Sequence, residues 1–249
     1  MDPRAALHRL LFRRRHTALL VAIVTLFTVR PLIGEGQAAL IVFNVTLLVL
    51  LLLALYATQI DELVGERKVL LAQRRRRRII AWALAVPAIV ERLYVTFVPS
   101  PRLLVVSTIF WLSFFAFATW SQVRSLLKHR EVTGETIAMS ISIYLLLGLT
   151  WGILYIVIFQ RNPESFSFGA TPQLLPGQQH GFPVFIYFSL TTLSTLGFGD
   201  ILPVTLQARY AAVAEGITGQ FYLAILVARL VGMQMSGSAH RDTDPARAP

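Results

Sequence analysis

The chain has 249 residues, of which 55% are hydrophobic and only 14% are charged, and its mean hydropathy is +0.62. A soluble domain of this length does not carry so many apolar residues, so the composition indicates a protein that crosses the membrane several times. The net charge of +10 comes mainly from arginines at the ends of apolar segments, which favours a membrane surface over nucleic acid as their partner. The absence of cysteine excludes disulfides and thiolate metal sites.

The first part of the chain predicts a four-helix membrane domain over residues 17–120, preceded by a basic cytoplasmic segment, residues 1–16. That segment is interpreted as an anchor for the first span, and a short interfacial helix on anionic lipid is the alternative. Arg30 interrupts the first apolar run and no cleavage site follows it, which argues against a signal peptide. The four predicted spans cover residues 17–33, 38–60, 79–98 and 103–120.

A run of five consecutive arginines precedes the third predicted span. Its primary interpretation is a topology anchor on the cytoplasmic side. It is also a candidate binding site for anionic lipid, and the effect of lipid binding would be transmitted from there to the rest of the protein. The run consists of Arg74, Arg75, Arg76, Arg77 and Arg78.

The second part of the chain, after a polar linker at 121–135, predicts two further spans with a short re-entrant segment between them. The outer span covers 136–159, a polar loop rich in proline and glycine covers 160–181, and the inner span covers 207–232. Residues 182–194 are apolar and aromatic but too short to cross the bilayer, which is typical of a re-entrant helix. The tail, 233–249, is expected to be disordered and cytoplasmic.

The distribution of basic residues predicts the orientation of these spans. Most of the 23 lysines and arginines fall in 1–16, 61–78, 121–135 and the tail, whereas the alternate loops hold Arg102 and Arg161. Because basic loops remain on the cytoplasmic side, both termini are expected there, and the re-entrant segment enters from outside. The fold expected is an all-α membrane protein with six spans and one re-entrant loop.

The segment after the re-entrant helix, residues 191–200, reads Thr-Thr-Leu-Ser-Thr-Leu-Gly-Phe-Gly-Asp. Glycine adopts positive φ without steric cost, so glycines at alternate positions allow successive carbonyls to face one side and replace the water shell of a cation. This pattern resembles the signature of potassium channels, and the order of span, loop and span resembles their pore domain. The chain has one such loop, so a closed pore requires four chains.

The resemblance implies a role for each residue of this segment. The carbonyls of Thr195, Leu196, Gly197 and Phe198 would coordinate K⁺, and Gly197 and Gly199 would permit the backbone turns. The side chain of Phe198 would meet an aromatic cuff formed by Tyr187 and Phe188. Most family members have tyrosine in place of Phe198, so the missing hydroxyl predicts a less rigid filter. The residues expected to support the filter are Tyr187, Phe188, Thr191, Thr192 and Asp200.

The inner span carries three further candidates. Gly216 and Gly219 are interpreted either as hinges or as sites of close helix packing, and the resemblance implies that Gln220, Leu223 and Val227 face a cavity. Glu215 is a carboxyl at membrane depth, where such groups are seldom idle. We expect it to face the re-entrant helix and to titrate near neutrality, which would make gating sensitive to pH.

The fourth predicted span has no basic residue between 103 and 120, unlike a voltage sensor, so steep voltage gating is not expected. The sequence therefore predicts a homotetrameric, potassium-selective channel subunit of a bacterial inner membrane, with K⁺ as permeant ion and no cofactor. The five histidines are scattered and an enzyme is not expected. A weakly selective cation channel and a non-conducting scaffold or regulatory subunit remain the alternatives.

Overall fold

The computed structural model describes residues 14–34, 37–60, 70–97, 101–129, 132–169 and 181–242. Most of the predicted basic N-terminal segment, residues 61–69 of the predicted loop at 61–78 and residues 170–180 of the predicted loop at 160–181 lie outside the described residues, as does the tail after Asp242. Within the described ranges the secondary structure is almost entirely α-helical, in agreement with the expected fold class.

Seven α-helices occur in the described part of the chain, together with one 3₁₀ turn and one pair of short strands. The helices are α1 (Arg15–Ile33), α2 (Gln37–Ile60), α3 (Leu70–Phe97), α4 (Pro101–Leu126), α5 (Gly134–Arg161), α6 (Gly181–Leu193) and α7 (Leu206–Asp242). The 3₁₀ turn is Pro163–Ser165, and strand β1 (Phe166–Ser167) pairs antiparallel with β2 (Leu202–Pro203).

Two helices are longer than the apolar pattern predicts. Helix α3 begins at Leu70, so the arginine run forms its first turns instead of a loop. Helix α7 continues to Asp242, whereas the sequence predicted a disordered segment from residue 233. The residues beyond the apolar region of α7 contain no proline before Pro245. The helical backbone hydrogen bonds can therefore continue past the predicted end of the span.

Three helices in the described ranges are long and apolar enough to cross a membrane. These segments are Val105–Leu126, Gly134–Arg161 and Leu206–Gly232. Shorter apolar helical segments occupy Arg15–Thr28, Ile41–Ala57 and Gly181–Leu193. The arrangement with six spans stays a prediction, while the multi-helix apolar architecture agrees with a membrane protein.

Helix α5 is the centre of the packing, because it contacts α1, α4, α6 and α7. Two glycines one turn apart on α5 allow α6 to approach closely. A Cβ on Gly152 would lie only 3.1 Å from the Cα of Ile186, and a Cβ on Gly148 would lie 2.7 Å from the Leu190 Cδ2. Small residues spaced in this way permit close contact between helix backbones in a membrane.

The first helix is joined to α5 at one end by Glu135. Its Oε2 accepts a hydrogen bond from the backbone N–H of His16 at 3.1 Å, and its Oε1 accepts one from the Thr17 hydroxyl at 2.5 Å. Glu135 lies in the first turn of α5, next to the N-cap Thr133. One acidic side chain therefore holds the N-terminal ends of α1 and α5 together, satisfying donors that a helix start leaves free.

Candidate ion-conduction site

The loop after α6 is folded back onto the end of that helix. The backbone N–H of Thr195 donates to the Thr192 carbonyl at 3.0 Å. The N–H groups of Leu196 and Gly197 both donate to the Thr191 carbonyl, at 2.8 and 3.2 Å. The last carbonyls of a helix normally lack partners within the helix, and here the loop satisfies them and takes its position from them.

The backbone of this loop alternates between left-handed and other conformations. Thr195, Gly197 and Gly199 have φ values of +60°, +53° and +77°, whereas Leu196 and Phe198 do not have positive φ. Left-handed backbone costs a residue with a Cβ about 1–2 kcal/mol, so Thr195 is held in a strained conformation. An alternation of this kind brings successive carbonyls toward one side, which is the arrangement that ion-selective filters use.

The loop is exposed in the single chain. All residues from Ser194 to Asp200 are exposed, and the side chains of Leu196 and Phe198 are 64% and 66% exposed. Phe198 stacks on Tyr187 with ring centroids 6.3 Å apart and planes 4° apart. The structure therefore brings together one of the two predicted cuff contacts within one chain.

Phe188, the other predicted cuff residue, has a different position. Its ring is only 6% exposed and packs edge-on against Tyr155, at 4.9 Å between centroids, and against Phe166 at 5.6 Å. Within the chain it belongs to the core between α5 and α6 and has no ring contact with Phe198. Adjacent residues on a helix point in directions about a quarter-turn apart, so Tyr187 and Phe188 serve different surfaces.

An aromatic core joins α5, β1 and α6 and was not recognised from the sequence. Ring centroids are 4.9 Å apart for Phe166 and Phe185, and 5.3 Å apart for Phe159 and Phe185. The spacing of Phe182, Phe185 and Phe188 places these rings on one face of a helix, and this was the available signal. Such aromatic contacts add stability beyond the area they bury.

The segment after the loop is anchored by the strand pair. The Val204 N–H donates to the Ser165 carbonyl at 2.8 Å, and Ile201 is buried at 4% exposure. The carboxylate of Asp200 lies close to the hydroxyl of Tyr187 on α6. The predicted supporting role of Asp200 thus has a physical partner on α6.

The two threonines at the end of α6 contribute mainly through their backbones. The hydroxyls of Thr191 and Thr192 both donate to the Phe188 carbonyl, at 2.9 and 2.8 Å. These side chains are satisfied inside their own helix, while their carbonyls accept the hydrogen bonds that position the loop. Thr191 and Thr192 therefore support the loop through their backbone carbonyls, whose positions are set by the end of α6.

Helix α7 passes behind the base of the loop at Gly219. A Cβ on Gly219 would clash with the carbonyl oxygen of Leu193, whereas a Cβ on Gly216 would lie 3.9 Å from the Thr192 carbonyl oxygen. The contact at Gly219 favours the close-packing interpretation for that residue. At Gly216 there is room for a larger side chain. The three side chains predicted to face a cavity lie on a surface that the chain does not cover: Gln220 is exposed, Leu223 is 38% exposed and Val227 is 58% exposed.

Glu215 is completely buried between three helices. Its Oε2 accepts a hydrogen bond from the Tyr155 hydroxyl of α5 at 2.5 Å, and its Oε1 lies against the Ser189 hydroxyl of α6. The expected position facing the re-entrant helix is the one observed. Tyr155 and Ser189 were not recognised from the sequence, because partners so distant along the chain leave no local pattern.

The far end of α7 is connected to the segment between α4 and α5. The Arg229 Nη2 donates to the His129 carbonyl at 2.7 Å, and the Tyr222 hydroxyl donates to the Ser140 carbonyl at 2.7 Å. Tyr222 also stacks on Tyr144, with 5.9 Å between ring centroids. This end of α7 is thus held against α5 and against the residue His129, which follows α4.

Comparison with known proteins identifies the same part of the chain. Residues 143–235 match a protein-family model described as an ion channel, a segment that extends from within α5 to the distal part of α7 and covers less than half of the chain. No curated protein and no solved structure matches. Together with the apolar helices, the match to an ion channel model supports passive ion conduction through the membrane.

Proposed function

We propose that the chain is one subunit of a homotetrameric, potassium-selective channel. The observation that carries this proposal is the alternation of positive φ at Thr195, Gly197 and Gly199, in a loop whose N–H groups are bound by the end of α6. The carbonyls from Thr195 to Phe198 would replace the hydration shell of K⁺, and the Thr195 hydroxyl would add the innermost ligand.

The surface of α7 supports assembly around a common axis. Exposed apolar side chains extend along this helix, and the filter loop is exposed beside them. Gln220 lies on the same helix, and a polar side chain is costly where it faces lipid. Its presence is explained if this surface faces an aqueous pathway or a neighbouring subunit. The exposed side chains are Tyr210, Val213, Ile217, Phe221, Ile225, Val227 and Val231.

The proposed channel is not steeply voltage-gated, and lies in a bacterial inner membrane with both termini cytoplasmic. Helix α4 has Arg124 in its last turn, and the region from Val105 to Trp120 has no basic residue to carry gating charge. The pathway needs no cofactor and no soluble substrate, because conduction is passive and the permeant ion is the cargo.

Reversal potential is the decisive measurement for this proposal. Purified protein is reconstituted in liposomes or a planar bilayer with potassium on one side and sodium on the other. We expect a reversal potential near the potassium equilibrium potential, with protein-free membranes as the control. A value near zero with real current would instead support a weakly selective cation channel, in which Phe198 leaves the filter loose. Tetramers that pass no current would support a non-conducting scaffold.

A basic and aromatic surface at one end of α3 and α4 supports anionic lipid as a partner. Arg75, Arg76 and Arg78 are exposed in the first turns of α3, and Trp82 follows them at 44% exposure. On the adjacent α4, Arg124 lies 5.2 Å from the centre of the Trp120 ring, which is 58% exposed. Tryptophan and arginine at such positions are typical of the headgroup region of a bilayer.

Neutralising the α3 arginines is expected to weaken the binding of anionic lipid. Each basic residue near a charged membrane contributes about 1 kcal/mol, so changing Arg75, Arg76 and Arg78 to glutamine predicts an affinity lower by up to about 100-fold. Quenching of tryptophan fluorescence by brominated phosphatidylglycerol, against brominated phosphatidylcholine, measures the effect. The triple lysine variant is the matched control and retains binding. Equal loss in both variants would contradict an electrostatic lipid contact.

A further inference from the structure

The buried acid of α7 takes part in a hydrogen-bond network that connects three helices. Glu215 on α7 contacts Tyr155 on α5 and Ser189 on α6. The Ser189 hydroxyl also lies 2.6 Å from the carbonyl oxygen of Gly148 on α5. Glu215 and Ser189 are both 0% exposed, so water from bulk solvent does not complete this network.

Counting hydrogens determines the form of the carboxyl group that fits. The Ser189 hydroxyl has one hydrogen, and it has two close oxygen partners, the Gly148 carbonyl and the Glu215 carboxyl. A carbonyl only accepts, and an ionised carboxylate only accepts as well. With an ionised Glu215, one of the two close contacts of Ser189 would therefore be between oxygens that share no hydrogen.

A neutral carboxylic acid resolves this conflict. Its O–H donates to the Ser189 oxygen, the Ser189 hydroxyl donates to the Gly148 carbonyl, and the Tyr155 hydroxyl donates to the other carboxyl oxygen. Every contact then has one donor and one acceptor, as buried polar groups require.

The surroundings of Glu215 agree with the neutral form. The groups that face it are the hydroxyls of Tyr155 and Ser189, and Tyr144 of α5 lies within electrostatic reach. None of the interactions described for Glu215 is an ion pair with a lysine, arginine or histidine. Burying a carboxylate without a cation is costly, whereas a neutral acid with satisfied hydrogen bonds is not.

We propose that Glu215 is a positioning residue that acts as a hydrogen donor, joining α7 to α6 and α5 directly behind the proposed filter. Ser189 precedes Thr191, whose carbonyl holds the loop, and Gly219 lies one turn beyond Glu215 against Leu193. The connection thus determines the distance between the inner helix and the base of the filter. Its effect on permeation rests on the proposed channel function, whereas the hydrogen-bond network does not.

Infrared spectroscopy of the purified full-length protein tests the neutral form directly. We expect a carbonyl stretching band of a protonated carboxyl group in the wild type at neutral pH, and its disappearance in Glu215→Gln. In Ser189→Ala the band is expected to remain but to shift, because the acid loses its acceptor. If Glu215→Gln removes a carboxylate band instead, the proposal is overturned. This measurement does not depend on conduction, so its result stands whether or not the channel proposal fails.

A pair of substitutions of similar size tests the positioning role. Glutamine supplies an N–H to Ser189 and an oxygen to Tyr155, whereas leucine supplies neither. We expect Glu215→Gln to keep the wild-type Tm and permeability ratio, and Glu215→Leu to lower Tm by about 4–8 °C, as the loss of a buried hydrogen-bond partner predicts. Permeability ratios are then measured in both variants. Leucine behaving like the wild type, or glutamine failing like leucine, would overturn the proposal.

Discussion

Gly219→Ala is expected to destabilise the protein strongly and to disturb the base of the proposed filter. The added Cβ would clash with the backbone carbonyl of Leu193, which lies at the end of α6 and is not the tip of a flexible side chain. Relief requires a displacement of α7 or of the end of α6. Overpacking of this type costs about 1–3 kcal/mol in each chain, and the four copies of the proposed tetramer would multiply the cost.

Gly216→Ala provides the matched control on the same helix. Its Cβ would lie 3.9 Å from the nearest atom, the Thr192 carbonyl oxygen, which is ordinary contact. Alanine also has a higher helix propensity than glycine by about 1 kcal/mol, so this variant is expected to be neutral or slightly stabilising.

The measurements are the Tm of the purified protein and the yield of the assembled form on size-exclusion chromatography, followed by reversal potential where assembly persists. Close packing at Gly219 predicts a loss that is specific to Gly219→Ala. If instead Gly219→Ala folds normally and both variants alter only the open probability, the glycines act as hinges and the packing interpretation is wrong.

The sequence predicted the helical segments and the backbone of the candidate site because both have local signals. Apolar runs of the right length identify helices, and glycines at alternate positions indicate where positive φ is needed, as Gly197 and Gly199 show. The left-handed conformation of Thr195 carried no such signal, since a threonine seldom adopts it.

The partners of the site residues were less predictable because they depend on tertiary packing. Tyr155 is 60 residues from Glu215 in the chain, and Ser189 is 26 residues from it. Periodicity shows which face of a helix is buried, but it does not show which hydroxyl of another helix will meet that face. Periodicity likewise did not show that Phe188 packs against Tyr155 and Phe166 within the chain, while the neighbouring Tyr187 stacks on Phe198.

Gly197→Ala is expected to abolish potassium selectivity while leaving the fold and the assembly intact. Gly197 has a φ of +53°, and a Cβ there would meet nothing within 4 Å, so the cost is conformational and not steric. A residue with a Cβ in this region loses about 1–2 kcal/mol, which would amount to about 4–8 kcal/mol for the four copies of the proposed tetramer. The proposed filter would relieve that strain by turning carbonyls away from the ion pathway. A reversal potential that moves toward zero, or a loss of current, would report this change.

Gly34→Ala separates this effect from a general cost of left-handed alanine. Gly34 follows α1, has a φ of +82° and also has nothing within 4 Å of a built Cβ. It therefore carries a similar conformational cost at a position remote in sequence from the filter loop. We expect Gly34→Ala to lower stability slightly and to leave the reversal potential unchanged. If residues 195–199 select the ion, selectivity is lost in Gly197→Ala and kept in Gly34→Ala. Selectivity that survives in Gly197→Ala, or that is lost equally in both variants, would show that these residues do not select the ion.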